Sequence, residues 1–314
     1  MNRPSILSLS LALAVAISSA ACKKDPAPTD ATPELAVSGA SSARAAAAAA
    51  AAKTPAPPPK EAGAKFTKKP PVAGTKRTEE TKMQMSMKLT MLKKTMEMAE
   101  DESVKKEEEV LEVSGDKVTK LKVTFLEDAK SMTEGGKPKL AKPSPIAGKT
   151  YVLVSKDNKT TVLNDKEKPA PQAEAKLVSK QYGSFGKPDE MMAALPDRVL
   201  KEGEAVPELA DGLAKEMKAH TKDDKMTVEG VKVTYKGKEG DAGVFEVEMT
   251  MRVAEGPFKM TMPLKGKVSL RMADGWPSTL ALEGPLNFDL TEKDKAQGVE
   301  GGGTIKMSSS YAYK

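Results

Sequence analysis

Apolar residues recur at every second position through most of the chain after residue 77. In the segment VFEVEMTMRV, residues 244–253, the side chains at 245, 247, 249, 251 and 253 are apolar, and Glu246, Glu248, Thr250 and Arg252 alternate with them. Because successive side chains of a β-strand point to opposite faces, this pattern is typical of a strand with one apolar and one wet face. The chain is therefore predicted to fold around a large antiparallel sheet.

Methionine occupies many positions of the apolar face. The segment KMQMSMKLTM, residues 82–91, alternates methionine or leucine with polar residues, and FKMTMPL, residues 258–264, does the same. Methionine exchanges with valine, phenylalanine and leucine at equivalent positions, which favours packing or binding of apolar groups. The residues predicted to form an apolar ligand-binding face are Met83, Met85, Met87, Met91, Phe245, Val247, Met249, Met251, Phe258, Met260, Met262 and Leu264.

A helical segment interrupts the strands in the middle of the chain. Residues 206–220, VPELADGLAKEMKAH, have Pro207 in the first turn and Leu209, Leu213 and Met217 four residues apart. Residues 175–182 and 189–195 are shorter candidates. With about nine or ten strands before and after these helices, we expect an α+β domain over residues 77–314. Its antiparallel sheet is expected to be strongly curved, a half-barrel whose apolar face is covered by the mid-chain helices.

The N-terminus predicts export and anchoring. Residues 1–21 combine Arg3, an apolar run over 6–17 and small residues before Cys22, as in a signal peptide. The run SSAAC resembles the bacterial lipobox, which implies a lipidated Cys22 at the mature N-terminus; the alternative is an unmodified cysteine. Lysines 23 and 24 stand where the inner-membrane retention signal of enteric lipoproteins has aspartate. The resemblance therefore favours the outer membrane, with the protein lipid-anchored and facing the periplasm.

Residues 22–76 are predicted to form a disordered tether behind the lipidated cysteine. They are rich in alanine, proline and lysine and cannot bury enough apolar surface to fold. Of the 50 basic residues, one lies in 1–21 and nine lie in 23–76, which leaves 40 basic and 40 acidic residues in the domain. The net charge of +6 and the isoelectric point of 9.0 thus come from the N-terminus, and no nucleic-acid partner is predicted.

Catalytic chemistry is not predicted. His220 is the single histidine, at the end of the predicted helix. Glutamates 107–109 are interpreted as a solvated run, and GVEGGGT, residues 298–304, lacks the lysine of a phosphate-binding loop. The lone Trp276, in a DGWP turn, is interpreted as packing over a sheet edge, or alternatively as contacting a membrane or partner. No enzyme activity, cofactor or metal is expected, although clustered thioethers leave Cu(I) binding as a less favoured alternative.

The order of strands and helices resembles the half-barrel of the LolA and LolB lipoprotein carriers and of the mycobacterial LppX and LprG proteins. Residues 195–206, LPDRVLKEGEAV, are similar to a segment of uncharacterised bacterial lipoprotein families, LP…V..GD.W, without its tryptophan. The resemblance implies a cavity between sheet and helices that holds an acyl chain. The predicted function is a non-catalytic lipoprotein that binds an apolar or lipidic ligand. The alternative is a structural envelope lipoprotein with a packed core and a protein partner.

Overall fold

The computed structural model describes residues 63–314, apart from 92, 140–143, 158, 221–225 and 255–258. The predicted signal peptide, Cys22, most of the predicted tether and Phe258 lie outside the described residues. Those that are described form a single antiparallel sheet and four helices. The predicted antiparallel sheet with helices grouped in mid-chain is confirmed at this level.

The sheet contains eleven strands. In chain order they are β1 (Lys76–Met91), β2 (Lys94–Ser114), β3 (Lys117–Glu134), β4 (Lys137–Lys139), β5 (Thr150–Lys156), β6 (Lys159–Asn164), β7 (Met226–Glu239), β8 (Ala242–Val253), β9 (Lys259–Arg271), β10 (Pro277–Asp289) and β11 (Glu300–Tyr313). Across the sheet the order is β6-β5-β3-β2-β1-β11-β10-β9-β8-β7, and β4 pairs with β3. Strands β1 and β11 therefore join the two halves of the chain at the centre of the sheet.

The helices lie where the sequence places them, with one addition. They are α1 (Gln172–Gln181), α2 (Glu190–Ala194), α3 (Pro207–His220) and α4 (Glu292–Ala296). The short α4 begins with a capping box: the Thr291 side chain accepts from the Asp294 amide, and the Asp294 carboxylate accepts from the Thr291 amide. No described helix has the length and apolar character needed to cross a membrane.

The predicted strand number is too low because the sequence pattern conceals β2. Several side chains of β2 that point to the apolar side of the sheet are charged, among them Glu100, Lys106 and Glu108, so the alternation of apolar and polar residues is lost. Strand β4 has three residues and no pattern of its own. Pairing with β1 and β3 along most of its 21 residues, rather than local periodicity, defines β2.

The predicted boundary between tether and domain at residue 77 is wrong. Ala64 forms a bridge with Leu200, and Phe66 is only 2% exposed. The Phe66 ring packs 5.4 Å from the ring of Phe245, and a Cβ at Gly243 would lie 2.2 Å from it. We call residues 63–69 the N-terminal strap. Composition hides it because one aromatic residue anchors a segment otherwise rich in lysine and proline.

Gly266 does not interrupt β9, where the sequence suggested a bend. The strand runs unbroken from Lys259 to Arg271. A Cβ at Gly266 would lie 1.9 Å from the carbonyl oxygen of Ala281 on β10. Glycine is required here because the neighbouring backbone approaches too closely for any side chain.

Candidate functional site

The apolar face of the sheet carries two separate hydrophobic cores. The methionine-rich core joins β1 and β7–β11 to α2, α3 and the N-terminal strap, and methionine accounts for eleven of its 31 buried residues. These methionines are Met83, Met85, Met87, Met191, Met192, Met217, Met249, Met251, Met260, Met262 and Met307. Both the sheet and the helices contribute, so thioethers line this core from two sides.

The methionine-free core lies on the same face, under β2, β3, β5 and β6, and is covered by α1. Its thirteen buried described residues are Val104, Val110, Val118, Leu121, Val123, Phe125, Ile146, Tyr151, Leu153, Val162, Val178, Tyr182 and Phe185. Among these residues there is no methionine. Branched and aromatic side chains have fewer accessible rotamers than methionine, so we expect this core to be the more rigid of the two.

Ten of the twelve residues predicted to form the apolar ligand-binding face belong to the methionine-rich core. Met91 was predicted wrongly. It is 38% exposed because it is the last residue of β1, one position beyond the end of the β11 pairing at Thr90. Phe258 lies outside the described residues. The structure therefore places ten of these residues in one core, and their binding of a ligand stays a prediction.

Strand register brings methionines of neighbouring strands opposite one another. Met251 on β8 is the Cα partner of Met262 on β9, and Met83 on β1 is the partner of Met307 on β11. Directly paired residues on one face lie about 5 Å apart, so their thioethers are in contact range. Methionine side chains are polarizable and have three rotatable bonds, so flexible groups from neighbouring strands face one another in this core.

One end of the methionine-rich core is closed by the N-terminal strap. The Thr67 amide donates to the carbonyl of Met272, and the Lys69 amide donates to that of Asp274. Along β8 it is Phe245 that packs against Phe66 of the strap, and methionines follow only further along the strand, at 249 and 251. The methionines of β8 and β9 therefore gather toward the end of the strands that lies opposite the strap.

Helices α2 and α3 cover the core as a pair. Glycine at position 212 of α3 is needed because a Cβ there would lie 2.5 Å from the Cβ of Ala194 on α2. The apolar side of α3 contributes Leu209, Leu213 and Met217, as its sequence predicted. On α2, the amide of Met192 donates to the Asp189 carboxylate, which caps the helix and fixes the direction of two buried methionines.

Four buried charged side chains separate the two cores; we call them the ionic cluster. Arg77 and Glu79 on β1 lie opposite Glu108 and Lys106 on β2, respectively. Arg77 Nη2 lies 2.6 Å from Glu108 Oε2 and 3.2 Å from Glu79 Oε2, and Lys106 Nζ lies 3.3 Å from Glu79 Oε1. The hydroxyl of Tyr182 donates to Glu108, and Lys106 Nζ lies 3.6 Å from the same carboxylate. The two positive and two negative charges alternate and compensate one another.

Burial dominates the electrostatics of this cluster. It raises the pKa of Glu79, against the attraction of Lys106 and Arg77, and it raises the pKa of the Tyr182 hydroxyl, to which Glu108 adds. Glu108 is buried, so the interpretation of glutamates 107–109 as a solvated run is wrong for this residue. A buried charge network is weak support for stability, but removal of one member is costly.

Sequence reasoning missed the ionic cluster, although a signal existed. Arg77 and Glu79 are two residues apart, and so are Lys106 and Glu108. Opposite charges at this spacing share one strand face, and only the antiparallel register shows that the two pairs meet.

A second polar group lies on the same face, beside the methionines of β1. Glu102 on β2 is the Cα partner of Met83 and is half-buried. Burial, with smaller contributions from Glu100 and Asp128, raises the pKa of its carboxyl to about 7 against the opposing attraction of Lys130 and Lys180. Lys130 is engaged with Glu100 at 2.6 Å. Glu102 therefore titrates near neutral pH at the border of the methionine-rich core.

Trp276 packs at the end of the sheet, in agreement with the interpretation that it covers a sheet edge. Its ring lies 4.8 Å from that of Tyr313, and its Nε1 donates to the carbonyl of Lys69 at 2.8 Å. The indole thus fixes the N-terminal strap to the turn between β9 and β10.

Comparisons with known proteins add no family. No family model matches the chain, and no curated protein matches it. Among solved structures, one described as lipid–protein interactions in lipovitellin has a TM-score of 0.34 and 8% identity, and covers 77% of this chain. The chain spans 25% of the length of that chain. At this score the similarity carries no argument about fold or ligand.

Proposed function

We propose that this chain is a non-catalytic, lipid-anchored envelope protein that binds an apolar or lipidic ligand in its methionine-rich core. The proposed anchor is a lipidated Cys22, and the proposed location is the outer membrane, facing the periplasm. The function rests on one observation of the described residues: the buried methionines are confined to one of the two cores under the same sheet.

The confinement of methionine to one core favours a functional role for these residues over a general preference of the chain for methionine. A chain that used methionine indiscriminately would place it in both cores, because both lie on one face of one sheet and are covered by helices. Methionine has three rotatable bonds and fits irregular and variable surfaces, whereas leucine and valine define a single packing. A core built from methionine on both sides can rearrange its side chains around an acyl chain without a large loss of contacts.

The test is uptake of a fluorescent fatty acid, 11-(dansylamino)undecanoic acid, by the full-length protein. We expect saturable fluorescence enhancement, together with co-purified lipid in native mass spectra. The quadruple variant M249L/M251L/M260L/M262L keeps the volume and apolar character of the wall but removes its flexibility. We expect it to bind the probe at least about fivefold more weakly at nearly unchanged stability, since rotamer adaptation is lost.

The matched control introduces methionine into the other core. The double variant L121M/L153M should leave probe affinity within twofold, because these residues belong to the methionine-free core. Absence of saturable uptake and of co-purified lipid would overturn the proposal in favour of a structural lipoprotein with a packed core. The observation that favours this alternative is the low solvent exposure of the core methionines.

Copper(I) is the second candidate ligand, because register places thioethers of two strands side by side, as at Met251 and Met262. Competition with a Cu(I) chelator tests it. Sub-micromolar Cu(I) binding that the quadruple leucine variant abolishes would support a metal site in the same core. Probe uptake without Cu(I) binding would support the apolar ligand and exclude a Cu(I) site in this core.

Proposed anchoring at Cys22 has its own test. Metabolic labelling with a radioactive fatty acid should mark the wild-type protein and leave Cys22→Ser unlabelled, with the variant released from the membrane fraction. A variant that remained in the membrane fraction would show that the anchor lies elsewhere.

A further inference from the structure

The polar face of the sheet, opposite the two cores, contains an open groove of about 960 Å³. Strands β1, β9, β10 and β11 form it. Its exposed lining side chains are Lys82, Gln84, Lys265, Lys267, Ala281, Glu283, Thr304, Lys306 and Ser308. Four lysines and one glutamate give the lining an excess of positive charge. We call it the lysine groove.

Strand register arranges these side chains in two rows across the sheet. In the first row, Lys267 pairs with Ala281, Ala281 with Ser308, and Ser308 with Lys82. Two small residues thus lie between Lys267 and Lys82. The Cα atoms of these lysines are three strand spacings, or about 14 Å, apart. The small residues form a floor over which both ammonium groups can reach inward.

The second row, Lys265, Glu283, Lys306 and Gln84, runs beside the first. Lys306 lies 3.3 Å from Glu283, and Lys265 lies 2.8 Å from Glu248, outside the groove. In the first row, Lys82 lies 2.7 Å from Glu80. These pairs are exposed and individually weak, so an anionic ligand can replace the glutamates at little cost. Among the described residues, Lys267 has no ion-pair partner.

We propose that the lysine groove binds a ligand carrying two or more oxyanion groups, phosphate being the reference chemistry. Lysines at both ends of a small-residue floor fit an elongated anion better than a single small one. The hydroxyl of Ser308 adds a hydrogen-bond donor beside the ammonium groups. The Thr304 hydroxyl is hydrogen-bonded to that of Ser86, and the Gln84 amide donates to Asp101 at 3.0 Å. This site is independent of the apolar ligand proposed above, because it lies on the other face of the sheet.

Titration of the full-length protein with inorganic triphosphate, followed by calorimetry at low salt, tests the proposal. We expect saturable binding that weakens as ionic strength rises. Lys267→Glu reverses the charge of the lysine without a partner and should weaken binding about three- to tenfold. Glu283→Gln removes the one acid of the lining and should strengthen binding about two- to fivefold.

Lys259→Glu is the matched control, since Lys259 is exposed on the same strand and face but lies outside the groove lining. It should change affinity less than twofold. An equal effect of Lys259→Glu and Lys267→Glu would show general charge attraction and overturn a groove site. The two groove variants have opposite expected signs, so a folding defect common to both cannot imitate the result.

Phosphate can come from a soluble molecule or from a lipid headgroup, and vesicles separate the two sources. Vesicles of phosphatidylglycerol and of phosphatidylcholine are compared by sedimentation with the full-length protein. A preference for phosphatidylglycerol that Lys267→Glu removes supports a headgroup, and saturable triphosphate binding without such a preference supports a soluble ligand. No triphosphate saturation together with equal sedimentation on both vesicles would overturn the proposal.

Discussion

The methionine-rich core and the methionine-free core lie on the same face of one sheet but differ in how they are built. Methionine supplies eleven of 31 buried residues in the first and none of the thirteen described residues in the second. In the first, flexible side chains face one another from the sheet and from α2 and α3. In the second, branched and aromatic residues pack under α1. The comparison shows that one sheet carries two cores of different composition, and it predicts that the methionine-rich core adapts more readily to changes in shape.

The ionic cluster between the two cores gives the largest expected effect. Lys106→Met removes one of two buried positive charges and leaves Glu79 and Glu108 compensated by Arg77 alone. We expect a loss of about 3–5 kcal/mol in the free energy of unfolding, measured in urea. Lys105→Met, the next residue along β2, should change stability by less than about 0.5 kcal/mol. Stabilisation by Lys106→Met would show that hydrophobic packing is preferable between the cores.

Matched leucines compare the cores directly. Leu121 in the methionine-free core and Leu264 in the methionine-rich core are both almost fully buried strand residues. We expect Leu121→Ala to cost about 4–5 kcal/mol and Leu264→Ala about 2–3 kcal/mol, since methionines can move into the vacated volume. Chemical denaturation measures both values, and equal costs would contradict the difference in rigidity.

Glu102 adds a pH dependence at the border of the methionine-rich core. Its pKa is about 7 in the folded protein and near 4.5 in the unfolded chain. Since the folded state holds this proton more tightly, the stabilisation is present below pH 4.5 and is lost as pH rises toward 7. We therefore compare the free energy of unfolding of Glu102→Gln with that of wild type at each pH. The difference should favour the variant by about 1–3 kcal/mol more at pH 8 than at pH 4. A difference independent of pH would contradict a raised pKa.

The smallest expected effect concerns methionine itself. M251L/M262L exchanges one cross-strand pair of thioethers for hydrocarbon of similar volume, and the free energy of unfolding should change by less than about 1.5 kcal/mol. Hydrogen exchange of β8 and β9 amides should slow, because the wall loses rotamers. A loss above 3 kcal/mol would mean that the methionines are packed as specifically as the residues around Leu121.

Periodicity was enough to predict much of the fold. Strands with apolar alternation, such as β8 and β9, and helix α3, with leucines four residues apart, appear where the sequence places them. Ten of the twelve residues of the predicted apolar face occur together because parity along a strand determines its face. Met91 fails because parity does not reveal where the neighbouring strand ends. The prediction that the domain begins at residue 77 is wrong because Phe66, a single aromatic residue in a lysine- and proline-rich segment, produces no periodic pattern.

The sequence by itself determined that this chain builds a large antiparallel sheet with a methionine-bearing face and helices in mid-chain, because side-chain direction alternates with a fixed period in every strand. Only the tertiary structure decided which residues meet across strands. Strand order divided the apolar face into two cores, and register assembled the ionic cluster from β1 and β2. Register also aligned lysines of β1, β9 and β11 around the lysine groove. These properties depend on pairing between residues far apart in the chain, such as Thr81 and Ser309, whose hydroxyls meet across 228 positions. Periodicity within a segment does not specify such pairing.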